Sequence, residues 1–155
     1  YGVRSLCVFF FVSMIRRPPR STLDRSSAAS DVYKRQARGY ANGVAASGRM
    51  LFLGGMIGWN GQQEFETDDF IEQVGQTLRN IVEVLAEAGA RPEHLVRLTW
   101  YVTDRDEYVG RLKELGPVYR AALGSHFPAM ALVQVVALVE RRAKVEIEAT
   151  AVVPE

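Results

Sequence analysis

The sequence predicts an α+β domain with the element order β-β-α-β-α-β-β. Two patterns predict it: apolar residues recur at helical spacing between residues 71 and 85, and apolar and polar residues alternate in residues 95–103 and 144–153. Helices that interrupt a set of mainly antiparallel strands pack together on one face of the sheet. We therefore expect one layer of two helices on one layer of strands.

The chain between residues 40 and 55 has the composition of a β-hairpin. Small residues at 40–46 are a first strand candidate, residues 47–49 suit a turn, and residues 50–53 form an apolar second strand. Gly54 and Gly55 follow, and glycines at this place end a strand or allow another group to approach the backbone closely. The pattern predicts an N-terminal hairpin.

The clearest signal in the chain is a helix that begins near residue 67. Thr67 or Asp68 can cap its N-terminus, Gly89 can end it, and Pro92 prevents its continuation. Its inner face is predicted from apolar residues that are mostly three or four positions apart: Ile71, Val74, Leu78, Ile81, Val82 and Leu85.

The second half of the domain contains the remaining strands and a second helix. Residues 95–103 alternate as a strand, and a helix is predicted over residues 106–123, with a kink or a late start because Pro117 interrupts the pattern. Residues 129–139 form a long strand that is apolar on both faces, so we expect a partner subunit to cover one of them. Residues 144–153 form the last strand.

Composition restricts the class of protein. The 155 residues, 48% of them hydrophobic and 24% charged, suffice for one globular domain with a core. A net charge of +1 argues against a dedicated nucleic-acid-binding protein. The single cysteine, Cys7, excludes a disulfide framework and a cysteine-based zinc site, and neither His94 nor His126 has metal-ligand spacing. We expect no metal and no nucleic-acid partner.

Residues 1–36 differ from the rest of the chain. They carry a net charge of +5, whereas residues 37–155 carry −4. Their apolar run, residues 6–15, is too short to span a bilayer, and the arginines of a signal peptide would precede that run rather than follow it. The stretches MIRRPPRSTL and SSAASDVYKRQ resemble translated sequencing-adapter sequence from environmental assemblies. We expect a non-native or disordered extension at 1–36, a domain at 37–155, no membrane association and a cytoplasmic location.

Few residues offer chemistry. Glu146 and Glu148 lie two positions apart on one strand, so both side chains are on the same face, either in solvent or in a groove between subunits. His126 precedes a strand and is either a loop histidine or a general base. These patterns alone leave both alternatives open for each residue.

Several segments together identify a family resemblance. They are Gly39-Tyr40, residues 52–58 (FLGGMIG), residues 80–89 (NIVEVLAEAG), Phe127-Pro128-Ala129 and residues 145–149 (VEIEA). In this order and spacing the chain resembles the Rid/YjgF family, the reactive intermediate deaminases formerly described as L-PSP endoribonucleases. The resemblance implies a chorismate-mutase-like fold and a homotrimer whose sheets form a central barrel, with three clefts between subunits.

The resemblance also implies an activity and a set of site residues. Family members hydrolyse imines and enamines to carbonyl compounds and ammonia without a cofactor. By position, Tyr40, Gly55 and the backbone of Leu132 match substrate-binding residues, and Glu146 matches the acid that orients the attacking water. The family's carboxylate-binding arginine corresponds here to Met130, which cannot form the bidentate ion pair.

The methionine changes the expected substrate. A small molecule more hydrophobic than a simple 2-imino acid is expected, unless an arginine from elsewhere, such as Arg97 or Arg142, reaches the cleft. The alternative hypothesis is a non-catalytic homotrimer that binds a small metabolite. Ribonuclease activity is disfavoured, because residues 37–155 are acidic and contain no basic stripe.

Overall fold

A computed structural model describes residues 40–154, so the predicted extension at residues 1–36 lies outside the described residues. Its elements are four strands, three α-helices and one 3₁₀ turn. In chain order they are β1 (Arg49–Ile57), α1 (Phe70–Glu87), the 3₁₀ turn (Pro92–His94), β2 (Leu95–Val102), α2 (Arg105–Gly110), α3 (Leu112–Leu123), β3 (Ala129–Gln134) and β4 (Val145–Val153). None of the helices within residues 40–154 is long and apolar enough to cross a membrane.

The four strands form one mixed sheet in the order β1-β4-β2-β3. β4 is antiparallel to both β1 and β2, and only the β2–β3 pair is parallel. The apolar faces of α1 and α3 share one buried cluster with the inward residues of the sheet, which include Leu98, Trp100 and Ile147. The predicted α+β class, with helices on one face of a mainly antiparallel sheet, is confirmed.

Helix α1 follows its sequence pattern closely. Ile71, Val74, Leu78, Ile81 and Leu85 are buried as predicted, because the helical period places them on one side. The predicted cap is one or two residues too early: Asp69 is the N-cap, and its carboxylate accepts a hydrogen bond from the Glu72 backbone N–H at 3.0 Å. The helix ends before Gly89, whose positive φ favours glycine.

The predicted strand at residues 40–46 is not formed. Only an isolated parallel bridge joins Ala41 to Ala129, with the Ala41 N–H donating to the Pro128 carbonyl at 3.0 Å. Residues 42–47 are exposed and mostly small, so they lack the cross-strand side-chain contacts that stabilise a strand. The predicted N-terminal hairpin is therefore wrong, and β1 pairs instead with the last strand of the chain.

Two further elements are shorter than predicted. The helix expected over residues 106–123 is divided at Arg111 into α2 and α3, and α3 continues through Pro117 without a break there. The strand expected over residues 129–139 ends at Gln134, after its last pairing with Val102. The helix start does not fall at the proline: helical structure begins at Arg105, and Pro117 is the sixth residue of α3.

The sheet face opposite the helices is not covered by any part of residues 40–154. Phe52 is 71% exposed and Met50 is 55% exposed, and Val133 on β3 is also exposed. These residues alternate with core residues along their strands, so they share the outer face with polar residues of β2 and β4. We call this surface the outer sheet face.

Candidate functional site

An apolar cavity of about 660 Å³ lies beside the helix-facing side of β3. This volume is within the range of small-molecule sites. We call it the β3 cavity. Its lining residues come from α2, α3, the sheet, the segment before β1 and the loop before β3: Tyr40, Trp100, Tyr108, Leu112, Leu115, Gly116, Tyr119, Arg120, Phe127, Met130 and Leu132.

Three of the five predicted site residues meet in this cavity. Met130 and Leu132 alternate on β3 opposite Leu98 and Trp100, so both side chains pack towards the buried cluster. Tyr40 lies at the cavity too, with its side chain partly exposed. An apolar residue at position 130 therefore extends the core into the cavity wall and offers no charge to a ligand.

The aromatic wall of the cavity is held rigidly. The rings of Tyr119 and Phe127 stack, with centroids 5.4 Å apart and an interplanar angle of 8°. The Tyr119 hydroxyl donates to the His126 carbonyl at 3.0 Å, and burial raises the pKa of Tyr119 to about 12. His126 Nε2 lies 2.6 Å from the Leu95 carbonyl, which can only accept, so this nitrogen acts as a donor. His126 therefore serves the loop structure rather than acting as a base through Nε2.

Gly55 and Glu146 meet at a different place, on β1 and β4. Glu146 is opposite Ile57 in the register, next to the bulge between Leu53 and Met56. A Cβ atom built on Gly55 would collide with Glu146 Oε1, so the glycine makes room for the carboxylate. The glycine and the acid thus form one unit.

The two neighbouring glutamates on β4 have different partners. Glu148 Oε2 accepts a hydrogen bond from the Tyr101 hydroxyl at 3.0 Å, and this bond raises the pKa of Tyr101. Within residues 40–154, no side chain or backbone group donates to the Glu146 carboxylate. Glu146 keeps its acceptor capacity for a water molecule or a ligand.

The predicted site is divided between two faces of the sheet in one chain. Tyr40, Met130 and Leu132 line the β3 cavity, whereas Glu146 alternates with the buried Val145 and Ile147 and is directed to the outer sheet face. A single chain does not bring all five residues together.

Neither arginine considered from the sequence lines the β3 cavity. Arg142 donates to Asp68 at 2.9 Å and to the Phe65 carbonyl at 3.0 Å, and its guanidinium lies 5.6 Å from the Phe65 ring centre. Arg97 lines a groove on the outer sheet face with Tyr101. The arginine at the cavity is Arg120, which the sequence patterns did not identify. The sequence offered one indication that Arg120 could lie near a cavity: it directly follows Tyr119, a residue of the helix's inner face.

No group of three or more His, Cys, Asp or Glu side chains that could hold a metal ion occurs in the part of the chain that the structure describes. The residues at both halves of the candidate site suit binding, proton transfer and positioning of water. They belong to a small α+β protein with an apolar ligand cavity and a sheet carboxylate that has no hydrogen-bond donor among residues 40–154.

Comparison with known proteins identifies the family. Residues 33–153 match the family described as Endoribonuclease L-PSP. The protein DfrA of Myxococcus xanthus is 34% identical over 130 residues, which cover 83% of this chain and 95% of DfrA. The human 2-iminobutanoate/2-iminopropanoate deaminase is 29% identical over 105 residues, covering 67% of this chain and 73% of that protein. A RutC family protein of Aquifex aeolicus is 36% identical over 80 residues, but the match spans only 60% of its length and 52% of this chain.

A solved structure agrees with the fold. A Rid family protein of Yersinia pestis, YyfB, superposes with a TM-score of 0.67 at 30% identity, covering 86% of this chain and 98% of that chain. The chain belongs to the Rid/YjgF family, whose sequence pattern is the one described as Endoribonuclease L-PSP.

Proposed function

We propose that this protein is a Rid-type hydrolase that converts reactive imines or enamines to carbonyl compounds and ammonia. The observation that carries the proposal is the Glu146 carboxylate, which lies over Gly55 and has no donor among residues 40–154. Membership of the family, which includes a human relative named as an iminobutanoate/iminopropanoate deaminase, supports the same reaction class.

The reaction needs only water, a base and a proton donor. Water adds to the imine carbon and forms a C–O bond, while the Glu146 carboxylate accepts one of the water's protons and passes it to the nitrogen, which has received the electron pair of the C=N bond. The product of this step is a neutral carbinolamine. In its collapse Glu146 accepts the hydroxyl proton as the C=O bond forms and the C–N bond breaks, and this second proton passes to the departing nitrogen, so that ammonia leaves with a carbonyl product. A positioned carboxylate contributes typically about 10²- to 10⁴-fold to such a proton transfer.

A homotrimer completes the site in this proposal. Glu146 and the β3 cavity are on opposite faces of one chain's sheet, so contact between chains is needed to bring a cavity and a carboxylate to one cleft. The exposed Phe52 and Met50 on the outer sheet face support such an association. A cytoplasmic location is part of the same proposal.

The second candidate function is a non-catalytic homotrimer that binds a small metabolite. The division of the predicted site between two faces of the sheet favours it, because binding in the β3 cavity does not require Glu146. Metabolite binding without any turnover of imines would support this alternative.

Hydrolysis of 2-iminopropionate, which an amino-acid oxidase generates in the assay mixture, tests the proposal. We expect slow turnover by the native protein and kcat/KM about 10- to 100-fold higher for Met130→Arg, since a bidentate ion pair contributes about 1.5–3 kcal/mol. Met130→Leu is the control for the change in side-chain shape. Equal rates for the native protein and Met130→Arg would contradict the argument from Met130. Failure of both on every imine, small or bulky, would exclude the hydrolase.

A further inference from the structure

Arg120 is the one charged side chain among the described residues that line the β3 cavity. It lies on α3, and its side chain is exposed. A Cβ atom built on Gly116, one turn earlier, would be 3.4 Å from one terminal nitrogen of Arg120 and 3.7 Å from the other. The guanidinium therefore lies back along the helix against Gly116, at the edge of the cavity.

The guanidinium of Arg120 has no carboxylate partner among residues 40–154. Some other arginines of the domain do: Arg91 pairs with Glu93 at 2.9 Å, and Arg142 pairs with Asp68 at 2.9 Å. A planar guanidinium that is not engaged by a neighbouring acid can bind a ligand carboxylate through two parallel hydrogen bonds. The cavity thus has one cationic group, and it is at the edge.

The interior of the cavity is apolar and aromatic. Leu115, Met130 and Leu132 contribute aliphatic surface, and Phe127 contributes a ring. Trp100 is 1% exposed, and its indole N–H is buried without an acceptor within the described part of the chain. The interior of the cavity therefore suits an apolar or aromatic part of a ligand rather than a charged one.

From this arrangement we infer that Arg120 is a carboxylate-binding residue of the β3 cavity and that the ligand is a carboxylic acid with a bulky apolar side chain. The acid group binds at Arg120, and the aromatic or branched side chain fills the space beside Met130 and Leu132. Naming the substrate as a 2-imino acid of this kind rests on the proposed hydrolase. Binding of the acid itself does not.

Ligand binding by the full chain tests the inference without requiring turnover. The probes are 3-phenylpropionate, its neutral amide and propionate, which separate the charge from the apolar side chain. Trp100 fluorescence serves as the readout in a Trp59→Phe background, because Trp59 is not among the lining residues and Trp100 is then the single tryptophan. Calorimetry gives the affinity independently.

The expected result is a preference for 3-phenylpropionate over its amide of about 10- to 100-fold, the range of a charge-assisted bidentate contact. Arg120→Gln should abolish this preference, and Arg120→Lys should retain part of it. Lys113→Gln is the matched control, because Lys113 is an exposed cation on the same helix but does not line the cavity. Unchanged unfolding midpoints would show that the variants fold.

Several outcomes would overturn the inference. Equal affinity for the acid and the amide, an acid preference that persists in Arg120→Gln, equal affinity for propionate and 3-phenylpropionate, or no binding of any probe would each contradict it. The two proposals can fail separately. Acid binding that depends on Arg120 without hydrolysis of any imine would exclude the hydrolase alone, and hydrolysis that is indifferent to Arg120 would exclude the carboxylate contact alone.

Discussion

At the residue scale, the contact between Gly55 and Glu146 determines where the proposed base lies. The two residues are on different strands, and only an absent Cβ at position 55 leaves space for the carboxylate. The sequence predicted both residues through the family resemblance, but strand pairing was needed to show that they touch. Alternation along residues 144–153 gave the face of Glu146 correctly, because a strand has a fixed period of two.

Gly55→Ala should reduce hydrolysis by at least about tenfold, because a methyl group would displace Glu146 from its position and part of the base's contribution would be lost. The measurement is kcat/KM for the best imine substrate, together with the unfolding midpoint. Gly54→Ala is the matched control, since a Cβ there meets nothing within 4 Å. Equal losses in both variants would contradict a specific role for Gly55.

At the element scale, two polar side chains of α1 connect the helix to the rest of the domain. Gln73 is completely buried; its amide donates to the carbonyls of Thr67 and Arg142 and accepts from the Lys144 N–H at 2.8 Å. Asn80 donates to the carbonyls of residues 57 and 59, at 2.9 and 3.0 Å. These contacts fix the ends of β1 and β4 against the helix.

Helical periodicity predicted the apolar face of α1 but not these two contacts. Periodicity reports which side of a helix is apolar, whereas a buried glutamine is recognised only when the carbonyls around it are known. The prediction of a strand at residues 40–46 was wrong for a related reason. Their small side chains fit a strand locally, but pairing depends on what a distant strand offers, and β4 occupies that edge of β1.

Gln73→Met should lower the free energy of unfolding by about 2–4 kcal/mol, because it leaves two partly buried carbonyls and one partly buried N–H without partners. Urea denaturation measures the change. Glu83→Met, at an exposed position of the same helix, should change stability by less than about 0.5 kcal/mol. Similar losses for both variants would show that the buried hydrogen bonds are not the cause.

An ion-pair cluster joins α1 to the junction of α2 and α3. Arg111 contacts Asp69, the N-cap of α1, and forms a bidentate pair with Glu114 at 3.0 and 2.7 Å. The hydrogen bonds from Arg111 hold the pKa values of Asp69 and Glu114 below their ordinary values of 3.8 and 4.5. Both carboxylates are thus favoured in their charged forms by the folded state.

This cluster predicts a pH dependence of stability. Since both folded-state pKa values are lowered, the contribution is fully present above the ordinary values and is lost as the pH falls through the folded values. We expect the free energy of unfolding to decrease as the pH is lowered beyond about 4.5, and we expect this decrease to be less steep in Arg111→Met. Urea titrations between pH 3 and 7 would measure it, and identical slopes in both proteins would contradict the assignment.

At the scale of the whole molecule, the outer sheet face is the surface that residues 40–154 leave uncovered. Phe52 and Met50 are exposed there, next to the polar side chains of Tyr101 and Glu148. The sequence indicated a need for a partner from the apolar strand after residue 129, and the structure places exposed apolar residues on β1 as well as on β3. Fold class was predictable because it depends on periodicity, whereas the division of the site between two faces was not.

Phe52→Glu should dissociate the proposed homotrimer, because three carboxylates would be brought into an apolar interface. Light scattering should give three times the chain mass of 17.3 kDa for the native protein and a smaller mass for the variant. Val84→Glu, an exposed apolar position on α1, is the control and should leave the mass unchanged. A native protein that is monomeric at micromolar concentration would contradict the trimer.

Ammonia release from a bulky 2-imino acid, measured for the native protein, Glu146→Gln and Glu148→Gln, tests the proposed role of Glu146 directly. Glu146 and Glu148 are on the same face of β4. The Glu146 carboxylate has no hydrogen-bond donor within residues 40–154, whereas the Glu148 carboxylate accepts a hydrogen bond from the Tyr101 hydroxyl. We predict a loss of about 10²- to 10⁴-fold in kcat for Glu146→Gln and a change of less than about threefold for Glu148→Gln. Equal activity of Glu146→Gln and the native protein would contradict the claim that this carboxylate activates the water.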